Sequence, residues 1–244
     1  MCIRDSLSGV AAGMTIGFDP WLHTQAEAAA LRKAAEETGF KLVPLPHNPI
    51  DRIWQDRPLA PKGKVVQHPE TLAGRSAAAK LDEMGETMRA AGGTAAVLTD
   101  PSSIAWVFNI RGQDVPHTPL PLSFAILKSD GRPTLFIDPD KLDGAVKDYL
   151  SALADLAAPD AFDAALRGFR AGERVLVDPA LAAERIVELI EEGGATVVLK
   201  PDPARLPRAR KNDIEIAGNR AAHLRDGCRP VSYTHLTLPT ICSV

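Results

Sequence analysis

Asp100-Pro-Ser-Ser-Ile104-Ala-Trp-Val-Phe-Asn-Ile-Arg-Gly-Gln-Asp-Val-Pro-His-Thr-Pro119 is the stretch from which the rest of the chain is read. An aspartate followed by proline starts a helix. The carboxylate accepts from free first-turn N–H groups, and proline at the first helical position gives up an N–H that had no partner. Ile104, Val107 and Phe108 recur at helical spacing and predict an apolar face. Trp106 reads as core rather than as a stacking platform. From Asn109 to Pro119 the pattern breaks into a long polar loop, and loops of this length in compact domains are often functional. Gly112 is read as permitting an unusual backbone angle, and Pro116, Pro119 and Pro121 as stiffeners. Arg111 and His117 are the candidate site residues. Two readings of them stay open. A stiff loop bearing a guanidinium and an imidazole suits holding a peptide or a neighbouring domain. Alternatively, Arg111 pairs with Asp114 and merely pins the loop.

Upstream, Arg75 to Ala91 predicts a helix with Leu81, Met84 and Met88 inward, and Thr94 to Leu98 a buried strand. Downstream, Ser123–Lys128 and Arg132–Asp138 predict strands joined across Ser129-Asp-Gly131, a hairpin signal. Leu142 to Leu156 reads as mostly helical. Arg174–Asp178, a helix from about Pro179 to Glu192, and Ala195–Lys200 form a β-α-β step. Hairpin and crossover connections together predict a mixed sheet. Further upstream lies a second α/β pattern. It has a strand at Met14–Asp19 and a capping box at Thr24-Gln-Ala-Glu27. Its helix carries Ala28, Leu31 and Ala35 on one face and closes at Gly39. A strand from Phe40 to Leu45 and a short helix started by Asn48-Pro49 follow, with Ile50, Ile53 and Trp54 expected on its inner face. Arg57–Gly63 and Pro201–Pro207 read as linkers. Asn212-Asp-Ile-Glu215 caps a last helix running to about Asp226. No short repeat is visible, and nothing in the sequence shows whether the two α/β units are copies of one fold.

The 244 residues carry a net charge of −3, with 45% hydrophobic and 24% charged residues. That is an ordinary globular composition. It gives no electrostatic footprint for nucleic acid or an anionic membrane. No apolar run approaches a membrane span. Of three cysteines, only Cys228 lies outside the chain ends, so no disulfide framework is expected and a reducing cytosol is the default. Gly74-Arg-Ser-Ala-Ala-Ala-Lys80 lacks the second glycine of a phosphate-binding loop. The histidines show no zinc signature. Asp138-Pro-Asp140 reads as a helix cap rather than a carboxylate pair, and Arg208-Ala-Arg210-Lys211 as a solvated linker end.

The opening stretch from Ile104 to Pro119, with Leu135-Phe-Ile-Asp138, resembles the Xaa-Pro aminopeptidases. The resemblance is to the long form, with two creatinase-like domains ahead of the catalytic domain. Ile16–Pro20 and Asn48–Pro58 resemble the end of the first such domain, and Gly74-Arg-Ser with Lys80-Leu the opening of the second. Lys211-Asn212 and Arg220–Asp226 resemble the first helix of the catalytic domain. The resemblance implies α/β, mixed-sheet, ribonuclease-H-like domains, the first one incomplete, then a pita-bread metallopeptidase domain of which only that helix is present. It implies residues 7–60 as the end of the first domain, 64–205 as the second and 206–230 as the start of the third.

Met1-Cys2-Ile3-Arg4-Asp5-Ser6 looks like the translation of a transposase end sequence used to tag sequencing libraries, and Val231–Thr240 like that of its opposite strand; the alternative is a natural polar tail. Residues 1–6 and 231–244 are therefore expected to be tag-derived and disordered. The family's activity is removal of the residue that precedes proline at a peptide N-terminus. It uses two divalent ions, typically manganese, held by two aspartates, a histidine and two glutamates beyond the first catalytic helix. No catalytic, cofactor-binding or metal position of this chain is implied. The expectation is an inactive portion of a cytoplasmic, dimeric enzyme acting on peptides with proline second, with no nucleic-acid or membrane partner. The rival reading is a catalytically dead peptide- or protein-binding module. A single-domain prolidase relative fits less well, because α/β units flank the Arg57–Gly63 linker on both sides.

Overall fold

The computed structural model describes residues 11–241, with side chains through residue 227. The first unit is β1 (Thr15–Phe18), α1 (Gln25–Thr38), β2 (Lys41–Pro44) and α2 (Pro49–Ile53), with β1 and β2 parallel. The predicted capping box opens α1. Thr24 Oγ1 accepts from the Glu27 N–H at 3.2 Å, and the Glu27 carboxylate accepts from the Thr24 N–H at 2.9 Å. Ala28, Leu31 and Ala35 are buried, and Gly39 ends the helix at φ 80°, a backbone angle glycine adopts without a Cβ clash. One expectation fails here. Ile50, Ile53 and Trp54 are not inward; they are 54%, 74% and 47% exposed. Among the described residues the first unit's core is Phe18, Ala28 and Leu31, with Leu42 against it. That is too small to reach α2.

The second unit opens with an antiparallel ribbon, β3 (Val66–Gln67) against β5 (Ile110–Arg111). Between these lie α3 (Glu70–Ala73), α4 (Ala77–Ala90), β4 (Ala95–Leu98) and α5 (Pro101–Val107). Asp100 caps α5, accepting from the Ser102 N–H at 2.9 Å, and buries Ile104, Val107 and Phe108 as the periodicity requires. The hairpin β6 (Phe124–Lys128) and β7 (Thr134–Phe136) follows. After it come α6 (Gly144–Leu153), β8 (Asp155–Ala157), α7 (Phe162–Arg167), β9 (Arg174–Val177), α8 (Glu184–Glu192) and β10 (Thr196–Leu199). The sheet order is β10-β9-β4-β6-β7-β8. β4 runs parallel to β9 and antiparallel to β6, so the sheet is mixed. One core packs Met84, Ile104, Phe108, Leu127 and Leu150; the other packs Phe136, Leu166, Val175, Leu189 and Ile190. Every residue of both cores lies between Val65 and Ala204. The second unit therefore needs no side chain from the first to complete its interior.

Three boundaries move. The helix predicted over Leu142–Leu156 stops at Leu153, and Asp155–Ala157 joins β7 as a parallel edge strand. Arg132 fixes that break, donating to Asp155 Oδ1 at 2.8 Å and to the Ala154 carbonyl at 2.9 Å. α8 starts at Glu184, not near Pro179. Asp178 first makes a turn, with its carboxylate accepting from the Ala180 N–H at 2.9 Å and its carbonyl from the Leu181 N–H at 3.2 Å. The second predicted linker is pinned rather than free. Asp202 and Ala204 are buried, the Asp202 N–H donates to Asp178 Oδ2 at 2.8 Å, and α9 (Arg205–Ala209) follows. Arg208, read as solvated, is half-buried and pairs with Asp100 at 2.9 Å.

α10 spans Asp213–Ile241, well past the expected end near Asp226. Its backbone runs helically through 231–241, where disorder was expected. Pro230 and Pro239 each lack the N–H for an intrahelical bond, and nothing in the structure explains the continuation. Residues 1–6, also read as tag, lie outside the described residues. Ile214 and Leu224 on this helix are 45% and 77% exposed.

Candidate functional site

The polar loop after α5 leaves β5 at Arg111 and returns at β6. Its strained position is not Gly112. Positive φ falls instead on Asn109 (48°) and His117 (60°). Gly112 is needed for a different reason: a Cβ there would lie 2.6 Å from the Pro121 nitrogen. The loop is pinned by Asp114, whose carboxylate is buried. It accepts from the Gly63 N–H at 2.8 Å, the Leu122 N–H at 2.7 Å and the Lys141 ammonium at 2.7 Å. Asp114 therefore does the pinning, but with Lys141 rather than Arg111. A buried carboxylate of this kind is held only if its lone pairs and charge are both answered. The partner lies 27 residues away in sequence, which is why local reading could not name it.

The two predicted site residues share the loop but not an environment. His117 is exposed beside a turn closed by the Thr118 N–H and the Val115 carbonyl at 3.2 Å. Arg111 is half-buried, donating to the Ile110 carbonyl at 2.8 Å and the Ala105 carbonyl at 3.4 Å. Burial pulls its guanidinium below the usual arginine range, and the Glu215 carboxylate opposes this.

A residue quoted only for resemblance proves central. Lys80 is 1% exposed and lies on the inner face of α4 with Ala77 and Met84. Its ammonium donates to Asn109 Oδ1 at 2.7 Å and the Trp106 carbonyl at 3.0 Å, and sits 4.3 Å from the centre of the Trp106 ring. Among the described residues it has no ion-pair partner at salt-bridge distance. Burial lowers its pKa to about 8, with Glu215 opposing and Arg111 and Arg75 adding to the drop. Asn109 completes the knot by donating to the Arg75 carbonyl at 2.8 Å. The sequence signal was a charged residue at helical spacing within an apolar stripe. His68 is lowered too, by burial first and then by Arg111 and Lys80.

Glu215 belongs to the first turn of α10, which docks here. Asn212 and Glu215 form the predicted reciprocal cap, both bonds at 2.9 Å. Asn212 also donates to the Ala73 carbonyl at 2.9 Å, and a Cβ on Gly74 would meet its side chain at 2.4 Å. Lys80, Arg111 and His68 all feel the Glu215 charge, and with the shared cap they make a joint between the second unit and the following helix. With Lys80 sealed from solvent, this is chemistry for positioning, not for attacking a substrate. Among the described residues, no group of three or more His, Cys, Asp or Glu side chains is placed to hold a metal ion. A cleft of about 1080 Å³ lies at the carboxyl ends of β1 and β2, with Trp21, His47, Trp54, Arg57 and Arg185 in its wall.

Comparison with known proteins now places the fold. The family model described as creatinase/prolidase N-terminal domain matches residues 56–215. This chain belongs to that family. Its mixed α/β architecture is the creatinase/prolidase N-terminal fold. A probable Xaa-Pro aminopeptidase P from Aspergillus flavus is 32% identical over 232 residues, covering 91% of this chain and 35% of that protein. A namesake from Coccidioides posadasii is 32% identical over 231 residues, covering 91% and 37%. The crystal structure of X-prolyl aminopeptidase from Caenorhabditis elegans, described as a cytosolic enzyme with a di-nuclear active site, superposes with a TM-score of 0.86. It is 26% identical and covers 97% of this chain and 39% of its own. This creatinase-family chain therefore spans little more than a third of the relatives it matches. The donors described here do not fit a di-nuclear centre, so no metal step is assigned to them. No helix among the described residues is long and apolar enough to cross a membrane.

Proposed function

We propose that this chain is the non-catalytic N-terminal portion of a metal-dependent Xaa-Pro aminopeptidase. On this reading residues 7–60 end a first creatinase-like domain, 64–205 form the second, and 206–230 begin the catalytic domain. The observation that carries it is the match itself, which runs through both α/β units and the start of α10 but covers only 35% of an Aspergillus relative. The metal pair, manganese by resemblance, would be held by residues outside those described. The two units would position the catalytic domain, with the Lys80–Asn109–Glu215 joint setting the direction of its first helix. Arg111 would serve that joint, and His117, exposed at the loop tip, would face the catalytic domain or the substrate mouth. The parent protein is read as cytoplasmic and homodimeric, acting on peptides with proline second. An X–Pro amide is tertiary and conformationally distinct from other peptide bonds, which suits a dedicated hydrolase.

The test is direct. Pure chain is incubated with Mn²⁺ and an Arg-Pro-Pro peptide, and loss of the N-terminal arginine is followed by mass spectrometry. No release is expected. Release that follows the chain through chromatography would overturn the proposal.

A further inference from the structure

The two units meet through their equivalent edges. Among the described residues, four backbone hydrogen bonds cross between them. The Gln25 and Ala26 N–H groups, at the start of α1, donate to the Ala182 and Pro179 carbonyls at 2.9 Å each. The Glu184 and Arg185 N–H groups, at the start of α8, donate to the His23 and Pro20 carbonyls at 2.9 and 3.0 Å. Each bond has a twin. A shift of 159 residues carries Gln25 onto Glu184 and His23 onto Ala182, and likewise Ala26 onto Arg185 and Pro20 onto Pro179. Thr24 and its counterpart Ala183 bridge each other antiparallel on the axis. The first N–H groups of a helix have no partner inside it. Here each helix start is satisfied by the other unit's loop.

The same shift superimposes the surrounding structure. It carries β1 onto β9, residue for residue, and Gly13 onto Gly172, both at positive φ (83° and 94°). It carries Asp19-Pro20 onto Asp178-Pro179, and both aspartates accept from the N–H two residues on, at 2.8 and 2.9 Å. A contact in which i meets j while the copy of j meets the copy of i is isologous, the geometry of a two-fold dimer.

We infer that the Pro179–Arg185 edge of the second unit is a self-complementary interaction surface that fits a second copy of that unit. In the intact chain the first unit occupies it, and one ion pair selects that occupant. Arg32 pairs with Glu184, whose side chain is only 6% exposed. The shift carries Arg32 onto Glu191, in the exposed face of α8. Two second units pairing through this edge would therefore oppose Glu184 to Glu191 twice, like charges where the intact chain has opposite ones. The backbone invites self-pairing and the side chains forbid it.

Two experiments test this. In the whole chain, hydrogen exchange is compared between wild type, Arg32→Lys and Arg32→Glu. Arg32→Glu is expected to speed exchange about tenfold or more at Gln25, Ala26, Glu184 and Arg185 together, because one buried charge loses its partner. Arg32→Lys should leave all four within about threefold of wild type, since the charge is kept. Faster exchange at Gln25 and Ala26 alone would mean a local effect on α1 and would overturn the coupling. The second experiment uses residues 64–205, which contain both complete cores of the second unit, with circular dichroism to establish folding. Sedimentation equilibrium should show Glu191→Arg associating as a dimer at least about tenfold more tightly than wild type. Equal association of the two folded proteins would overturn the self-complementary surface. If this piece does not fold alone, the whole-chain exchange result decides.

Discussion

The segments β1-α1-β2 and β9-α8-β10 carry the same local instructions and meet different fates. Both have a glycine turn, a strand ending in Asp-Pro, a helix and a second glycine before a parallel strand. Yet β9 buries Val175, Leu176 and Val177 inside a six-stranded sheet, while β1 lies in a sheet of two described strands and buries only Phe18. On α8, Ile186, Leu189 and Ile190 are buried; on α1 the core face is two alanines and a leucine. The difference separates what local sequence chemistry achieves from what burial achieves. Caps, turns and Asp-Pro starts suffice to shape the motif. Stability comes from the apolar area it covers.

Substituting equivalent residues should separate the two regions most. Ile190 is fully buried and Leu31 is its counterpart at 8% exposure. Ile190→Ala is expected to cost about 2–5 kcal/mol in global unfolding by denaturant, as for a cavity in a packed core. Leu31→Ala should cost less than half as much and should not shift the second unit's midpoint. Equal losses would mean the first unit shares the second unit's core.

Next in size is the pH response of the second unit. Lys80 titrates near 8 when folded and near 10.4 in an unfolded chain. Between those values the unfolded chain binds more protons, so stability rises with pH across that window. The gain is absent below about 8 and complete above about 10.5. Replacing Lys80 with methionine should flatten this rise, measured by urea unfolding at pH 7.5 and pH 10. An unchanged slope would remove Lys80 as its source.

The smallest effect concerns the paired glycines. Gly13 and Gly172 have open space where a Cβ would go, so alanine there meets only the cost of positive φ, about 1 kcal/mol. Gly172→Ala should lower the global midpoint by that amount. Gly13→Ala should appear only as faster exchange within β1 and α1. The reverse pattern would invert the ranking of the two regions.

Much of this was legible from local chemistry. The capping boxes at Thr24 and Asn212, the Asp100-Pro101 helix start, the β6–β7 hairpin and the mixed sheet were all readable, because each depends on neighbours within a few residues. Three kinds of feature were not. The Asp114–Lys141 pair joins residues far apart in sequence. The exposure of Ile50, Ile53 and Trp54 depends on what covers α2, which their spacing does not encode. The duplicated units hide behind side-chain divergence. From Ala12 to Arg32 the 159-residue shift leaves five identical pairs, namely Ala12, Gly13, Asp19, Pro20 and Leu22 with Ala171, Gly172, Asp178, Pro179 and Leu181, and the relation emerges once the reciprocal bonds are seen. Of the candidate site, loop composition points to Arg111 and His117 as candidates, whereas it does not point to Lys80, because lysine is seldom fully buried.

Titration calorimetry of Mn²⁺ into the pure chain bears most directly on the claim that these two units are scaffold and not catalyst. The expected result is no saturable heat in the micromolar range, with or without a proline-containing peptide. Saturable, stoichiometric binding at micromolar Mn²⁺, abolished by substituting carboxylates within residues 11–227, would contradict it.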